Sequence, residues 1–259
     1  MPFTINVARL TPQAQPIAEA AARVYLKHTE PWFIGLIVHG SAFKGGFIPG
    51  CSDIDFQLYL DSSAFNEANN PLELAINIHR DLARIDPTPF GYIQCYPLSA
   101  KLPQGWTSPI PGAYAVVAGT LPVKEATAEE LHASAMRRLA ALNPTPMHLH
   151  MNLLEHGAGR LQRHVRLLCT DVWPTLYSIL SIEQNDPIRM WNMTKVEAMA
   201  QLPPDSALGS ALDRFYRAVL AYYPGESSVE RALEVIRQGV AFLREAKLWW
   251  EGGAGKAHF

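Results

Sequence analysis

The chain has 259 residues, a length that accommodates two domains of the usual size of roughly 100–200 residues. Hydrophobic residues make up 48% of it and charged residues 18%, and the mean hydropathy is −0.02, which excludes a disordered or membrane-embedded chain. The net charge of −2 argues against nucleic acid as a partner, because proteins that bind it carry a strong positive charge. Since neither a leader-like segment nor an apolar stretch of about 18 residues occurs, we expect a cytoplasmic protein without membrane contact.

The first half of the chain alternates between helical and strand-like patterns. Small and apolar residues recur at helical spacing over residues 12–28 and 72–82. Short apolar runs bounded by glycine or proline predict strands at residues 33–38, 54–60 and 91–98, and a further apolar run spans residues 113–118.

After Pro122 the strand-like runs stop and helical periodicity takes over. We therefore place a domain boundary there, with one domain at residues 1–122 and a helical one at residues 123–259. The predicted helices of the second domain are 128–142, 147–169, 172–182, 195–201, 206–222 and 229–250.

One segment of the first domain carries a pattern typical of phosphoryl chemistry. Asp53 and Asp55 begin the second predicted strand, and because strand side chains alternate, both carboxylates project from one face. Two carboxylates with open positions left for water and phosphate oxygens are suitable ligands for Mg²⁺. Upstream, Gly40 lets the backbone approach a phosphate closely, and Ser41 adds a hydroxyl at the start of a helix. Alone, a Gly-Ser turn or an Asp-x-Asp strand end is usually structural, but the combination in this order predicts a metal and triphosphate site.

The segment GLIVHGSAFKGGFIPGCSDIDFQLYL resembles the signature of the DNA-polymerase-beta-like nucleotidyltransferases. Its Gly-Ser-Ala, Gly-Gly and Ser-Asp-Ile-Asp elements are most similar to those of the aminoglycoside adenylyltransferases that modify streptomycin and spectinomycin. The later segments WNMTKVEAMAQLP and ALDRFYRA resemble part of the helical domain of those enzymes.

The resemblance implies an N-terminal α/β (α+β) nucleotidyltransferase domain with a short mixed sheet, followed by an all-α helical-bundle domain. It implies transfer of AMP from Mg²⁺·ATP to a hydroxyl of a small molecule, with Asp53 and Asp55 as metal ligands. The nucleotide-binding residues that it implies are Gly40, Ser41, Ser52, Lys195, which would reach the phosphates, and Tyr216.

The sequence departs from this family at one catalytic position. The family keeps a third carboxylate on a later strand, but no acidic residue occurs between Asp86 and Glu125, and Gln94 takes the equivalent position. An amide can orient a hydroxyl but cannot take its proton at neutral pH. A missing base costs about 10²–10⁴-fold in rate, so transfer is expected to be slow or to use a base from elsewhere.

Several charged residues of the helical domain could serve the same reaction. Glu155 and Asp171 could replace the missing base or bind a cationic acceptor, although ordinary surface ion pairs, or a helix cap at Asp171, explain them equally well. His156, Arg160 and His164 fall at four-residue spacing and predict a basic stripe on one helix, which could face a triphosphate or simply face solvent.

The leading hypothesis is therefore an adenylyltransferase that uses Mg²⁺ and ATP and acts on a small molecule, such as an aminoglycoside-type antibiotic. Two alternatives remain open. The chain could be a nucleotide-binding regulator that has kept the metal pair and lost the base, or it could adenylylate a protein.

Overall fold

The computed structural model describes residues 3–145, 147–157, 159–223 and 228–254. The chain divides into two compact units, one that ends at Ala126 and one that begins at Thr127. The boundary predicted after Pro122 lies in the loop between the last strand of the first unit and the first helix of the second. The assignment of residues 1–122 and 123–259 to two domains stays a prediction. Among the described residues, no helix combines the length and the apolar character that crossing a membrane requires.

The first unit combines a mixed sheet with helices. The sheet has the strand order β3-β2-β1-β4, in which β2 runs antiparallel to β1 and parallel to β3, and β4 runs antiparallel to β1. Its elements in chain order are α1 (Gln15–Thr29), β1 (Phe33–His39), α2 (Ser41–Lys44), β2 (Ile54–Leu60), α3 (Pro71–Leu82), β3 (Ile93–Leu98) and β4 (Tyr114–Gly119).

The alternation of side chains along β2 separates an apolar face of the sheet from a partly polar one. Ile54, Phe56 and Leu58 lie in a buried cluster that also contains residues of α1, including Tyr25, whose ring meets that of Phe56 edge-on. The opposite face begins with the polar residues of β2 and continues into a smaller apolar cluster around Tyr59. The polar end of this second face is where the predicted site lies.

Helix α3 is attached to α1 by a group of hydrogen-bonded charges. The Asp81 carboxylate accepts hydrogen bonds from Lys27 Nζ at 2.7 Å and from His28 Nε2 at 2.8 Å. These hydrogen bonds, that from Lys27 first, lower the pKa of Asp81 from 3.8 to about 2.

The second unit is built from helices packed around α6. Its elements are α4 (Ala128–Ala140), α5 (Met147–Leu153), α6 (Arg160–Glu183), α7 (Pro187–Asn192), α8 (Lys195–Met199), α9 (Ala207–Tyr222) and α10 (Val229–Trp249). Helices α4 and α10 pack on α6, and α9 packs on α10. The crossing of α10 over α6 needs Gly239, because a Cβ atom there would lie 2.4 Å from Leu168 Cδ2 and 2.8 Å from its Cγ. The fold class predicted from the sequence thus has its two parts, a small mixed sheet with helices and then a helical unit.

The predicted helix boundaries around α6 were wrong at two places. The predicted helix 147–169 is interrupted after Leu153, because Gly157 and Gly159 both take positive φ angles, 148° and 74°. The predicted break near residue 170 is absent, and α6 runs on through Pro174. Proline removes one backbone hydrogen bond, but the buried apolar residues of α6 on both sides of it keep the helix continuous.

Helix α7 was not predicted from the sequence. Its signal was an Asp-Pro start, since Asp186 caps the helix by accepting a hydrogen bond from the Arg189 backbone N–H, and Pro187 occupies the first turn. The segment has only 6 residues, too few for helical periodicity to show.

Candidate active site

The turn at the end of β1 places Gly40 in a backbone conformation that favours glycine. Its angles are φ 71° and ψ −149°, a region from which side chains with a Cβ atom are nearly excluded. Its carbonyl oxygen accepts hydrogen bonds from the N–H groups of Phe43 and Lys44, which starts the short helix α2. Ser41 is the first residue of that helix and is buried.

The loop that follows is fixed against the start of β3. The Ser52 hydroxyl accepts a hydrogen bond from the Ile48 N–H at 2.9 Å, and the Ser52 carbonyl accepts one from the Gly91 N–H at 2.8 Å. Gly91 is needed here, because a Cβ atom would lie 2.6 Å from the Gly50 carbonyl oxygen. The structure therefore gives Ser52 a role in holding the loop, and its predicted nucleotide contact stays a prediction.

Asp53 and Asp55 lie at the same end of β2, Asp53 just before the strand and Asp55 as its second residue. Both are half-buried, and neither belongs to the buried apolar clusters. Asp55 pairs with His39 on β1 and with Gln94 on β3, so the predicted third position lies directly beside it. Asp55 also reaches the turn, because a Cβ atom on Gly40 would lie 2.8 Å from its Oδ2.

Tyr92 joins this group, although the sequence analysis did not select it. Its hydroxyl oxygen lies 2.5 Å from Asp53 Oδ2 and 2.8 Å from Gln94 Oε1. Ile54 on β2 pairs with Ile93 on β3, and this pairing places Tyr92, just before β3, beside Asp53, just before β2. The available signal was the i, i+2 spacing from Gln94 in a predicted strand, but the partner strand could not be known from it.

His39 on β1 pairs with Asp55, and its ring is uncharged. Burial lowers its pKa from 6.5 to about 4, although the negative charge of Asp53 opposes this shift. Gln57 Oε1 accepts the Tyr59 hydroxyl hydrogen at 2.7 Å, which turns the Gln57 amide N–H toward His39 Nε2 at 3.4 Å. His39 Nε2 is then an acceptor, and a neutral ring adds no positive charge that would compete with a cation.

The donor set suits a hard divalent cation that retains open positions. No group of three or more His, Cys, Asp or Glu side chains fit to hold a metal occurs in the described part of the chain. The available oxygens are the two carboxylates and the Gln94 amide, in a half-buried place beside Gly40. Mg²⁺ is commonly held by one or two carboxylates while phosphate oxygens and waters complete its shell, so the residues present fit it.

Lys195 and Tyr216, the other predicted nucleotide-binding residues, lie in the helical unit around Trp173. The Lys195 ammonium sits 5.8 Å from the centre of the Trp173 ring, and the Tyr216 ring meets that ring edge-on at 5.9 Å. Both side chains are half-buried. The structure therefore brings these two residues together, while their contact with a nucleotide stays a prediction.

The basic stripe predicted on one helix was wrong. His156 lies in the loop before α6, and Arg160 is the first residue of that helix. Arg160 Nη1 contacts Glu155 Oε2 at 3.0 Å in an exposed ion pair, whereas His164 is buried. The glycines at 157 and 159 separate residues that a continuous helix would have aligned.

Asp171 lies in the middle of α6, so its interpretation as a helix cap was also wrong. Its side chain is exposed and lines a small cleft of the helical unit together with His164 and Asn152. A role for Asp171 or Glu155 toward an acceptor stays a prediction.

The chain thus folds as a small mixed sheet with this site at one end, followed along the chain by a helical unit. No model of a known protein family matches the chain, and no curated protein matches it significantly. Among solved structures it is similar to that of the spectinomycin adenyltransferase AAD(9) from Enterococcus faecialis with ATP and spectinomycin. The two sequences are 13% identical, the TM-score is 0.55, and the similarity covers 90% of this chain and 98% of that one. The comparison confirms the predicted fold class and reaches no further than the fold.

Proposed function

We propose that the chain is a nucleotidyltransferase that transfers AMP from Mg²⁺-bound ATP to a hydroxyl group of a small molecule. The observation that carries this proposal is the placement of Asp53 and Asp55 at one end of the sheet, with Asp55 against the Gly40 turn. Carboxylates that would hold a cation must lie beside a turn that would bind phosphates, so that both can reach one Mg²⁺·ATP. The similarity in fold to an adenyltransferase supports the same class of reaction.

Each group at the sheet end has a task in this proposal. Asp53 and Asp55 hold the cation, which would neutralise charge on the phosphates, and Gly40 and Ser41 bind the terminal phosphates through the turn. Lys195 and Tyr216, in the helical unit, keep the nucleotide contacts that the sequence resemblance implies. Alignment of the acceptor hydroxyl and electrostatic stabilisation then provide most of the rate enhancement.

For the acceptor, we propose an aminoglycoside-type antibiotic or a chemically similar polyol. The support is the sequence resemblance to streptomycin- and spectinomycin-modifying enzymes and the fold shared with a spectinomycin adenyltransferase. Glu155 and Asp171 are exposed carboxylates suited to a cationic acceptor.

The direct test is incubation with labelled ATP and Mg²⁺ in the presence of a panel of aminoglycosides that includes streptomycin and spectinomycin. A transferase releases pyrophosphate and yields a product heavier by one AMP. If the chain binds ATP but releases no pyrophosphate with every acceptor of the panel, the transferase proposal is contradicted.

A second candidate, a nucleotide-binding regulator, is favoured by Gln94. This residue pairs with Asp55 where the family resemblance calls for a carboxylate, and its amide cannot serve as a base. Such a protein would bind Mg²⁺·ATP and change its interactions without turnover.

Three variants separate the enzyme from the regulator. Gln94→Glu places a carboxylate beside Asp55 and should raise a base-limited transfer rate by up to about 10²–10⁴-fold. If a helical-unit carboxylate already acts as base, Asp171→Asn or Glu155→Gln should instead lower wild-type turnover by about 10²–10⁴-fold. A silent wild type together with an active Gln94→Glu variant supports the regulator.

A further inference from the structure

A row of hydrogen-bonded side chains runs along β3 and ends at Asp53. Tyr92 and Gln94 lie on one face at the start of β3, and the Tyr92 hydroxyl lies 2.8 Å from Gln94 Oε1. Tyr92 continues the row across to Asp53 Oδ2. The row therefore ends at one of the two proposed metal ligands.

The donors and acceptors at the Tyr92 contacts with Asp53 and Gln94 can be assigned from the distances. The Tyr92 hydroxyl has a single hydrogen, and a charged carboxylate at 2.5 Å is a stronger acceptor than an amide. The oxygen and nitrogen of a glutamine amide are assigned from their hydrogen bonds. With the Gln94 amide turned by 180°, its N–H donates to the Tyr92 hydroxyl oxygen, and no acceptor faces an acceptor at this contact.

We propose that Tyr92 is a positioning residue that orients Asp53 toward the divalent cation. The inference rests on the proposed function of the same site. Donation from Tyr92 to Oδ2 fixes the rotation of the Asp53 carboxylate and leaves Oδ1 for the cation.

The expected effect is on affinity for the cation. Hydrogen bonds to metal-ligating carboxylates from outside the coordination shell are worth about 10–100-fold in metal affinity. The geometry here, a hydroxyl donor at 2.5 Å from a half-buried carboxylate, is of this kind. Loss of the Tyr92 hydroxyl should weaken binding of the cation without directly affecting binding of the nucleotide.

The test measures binding of Mn²⁺ to the full chain by electron paramagnetic resonance, in the presence of the nonhydrolysable analogue α,β-methylene-ATP. Tyr92→Phe should raise the Mn²⁺ dissociation constant about 10–100-fold and leave binding of the metal-free analogue in EDTA unchanged. The matched control is Tyr114→Phe, which removes a tyrosine hydroxyl that donates to the Glu125 carboxylate at 2.8 Å in the same unit, and it should leave Mn²⁺ binding unchanged.

A second pair of variants tests the hydrogen-bond donor at position 92 without an aromatic ring there. Tyr92→Gln retains an N–H donor and should bind Mn²⁺ more tightly than Tyr92→Leu. A wild type that binds no Mn²⁺ with the analogue overturns the proposed function itself. A wild type that binds, together with a Tyr92→Phe variant that binds equally well, or with equal losses in Tyr92→Phe and Tyr114→Phe, overturns the role of Tyr92 alone. Equal Mn²⁺ binding by Tyr92→Gln and Tyr92→Leu also overturns the role of Tyr92.

Discussion

Substitution of Gly40 by alanine tests whether the turn and the carboxylate pair form one site. The backbone at Gly40, with φ 71° and ψ −149°, costs an alanine about 1–3 kcal/mol. The new Cβ atom would also lie 2.8 Å from Asp55 Oδ2, closer than van der Waals contact allows. Because the Asp55 carboxylate must move away, Gly40→Ala should lower both the stability of the first unit and its affinity for Mg²⁺·ATP.

Gly45→Ala is a matched control for the backbone cost. Gly45 has φ 85° and ψ −171°, and a Cβ atom there meets nothing within 4 Å. Both variants should lose a similar amount of stability in urea unfolding, about 1–3 kcal/mol. Calorimetric titration with Mg²⁺·ATP should detect the loss of affinity only in Gly40→Ala. Equal nucleotide affinity in the two variants, whether retained or lost, would refute the contact between the turn and Asp55.

Three further predictions follow from other parts of the structure. Asp53→Asn or Asp55→Asn should reduce Mg²⁺-dependent ATP binding in calorimetry by more than the 10–100-fold or so of an outer hydrogen-bond partner, without loss of thermal stability, because neighbouring carboxylates repel each other. Gly239→Ala should destabilise the helical unit by about 1–3 kcal/mol in urea unfolding, since the buried Leu168 side chain blocks the new methyl group. Asp81→Asn should lower the thermal midpoint at pH 7, and its difference from wild type should shrink as the pH falls from about 4 toward 2, because the depressed pKa makes the native state lose this stabilisation on protonation.

The strands and the core of the site were predictable because the relevant signals are local. The period-2 pattern of residues 54–60 places Asp55 and the buried Phe56 on opposite faces of the strand. This needs no knowledge of the rest of the sheet. The need for glycine at position 40 follows similarly from a turn between two strands. Such features depend on neighbouring residues alone.

The features that could not be predicted depend on pairing between distant segments. Tyr92 lies beside Asp53 only because β3 joins β2 in parallel with Ile93 opposite Ile54. A shift of this register by one residue would turn Tyr92 and Gln94 to the other face of the sheet. The continuity of α6 through Pro174 is of the same kind, because buried contacts with other helices outweigh a local helix-breaking signal.

Under the proposed function, the charges at the sheet end would favour binding of a metal nucleotide, while Gln94 would limit catalysis. Two carboxylates carry a charge of about −2, which one divalent cation neutralises, so an anionic triphosphate meets no excess negative charge. A third carboxylate at position 94 would supply a base but would also add a negative charge beside the phosphates. Neighbouring groups do not replace that base, since burial keeps the pKa of His39 near 4, and burial with the charges of Asp55 and Asp53 raises the pKa of Tyr96. Under the proposed function, the site would bind a metal nucleotide without a proton acceptor among the described residues named above, and we predict a low turnover number with ordinary affinity for Mg²⁺·ATP.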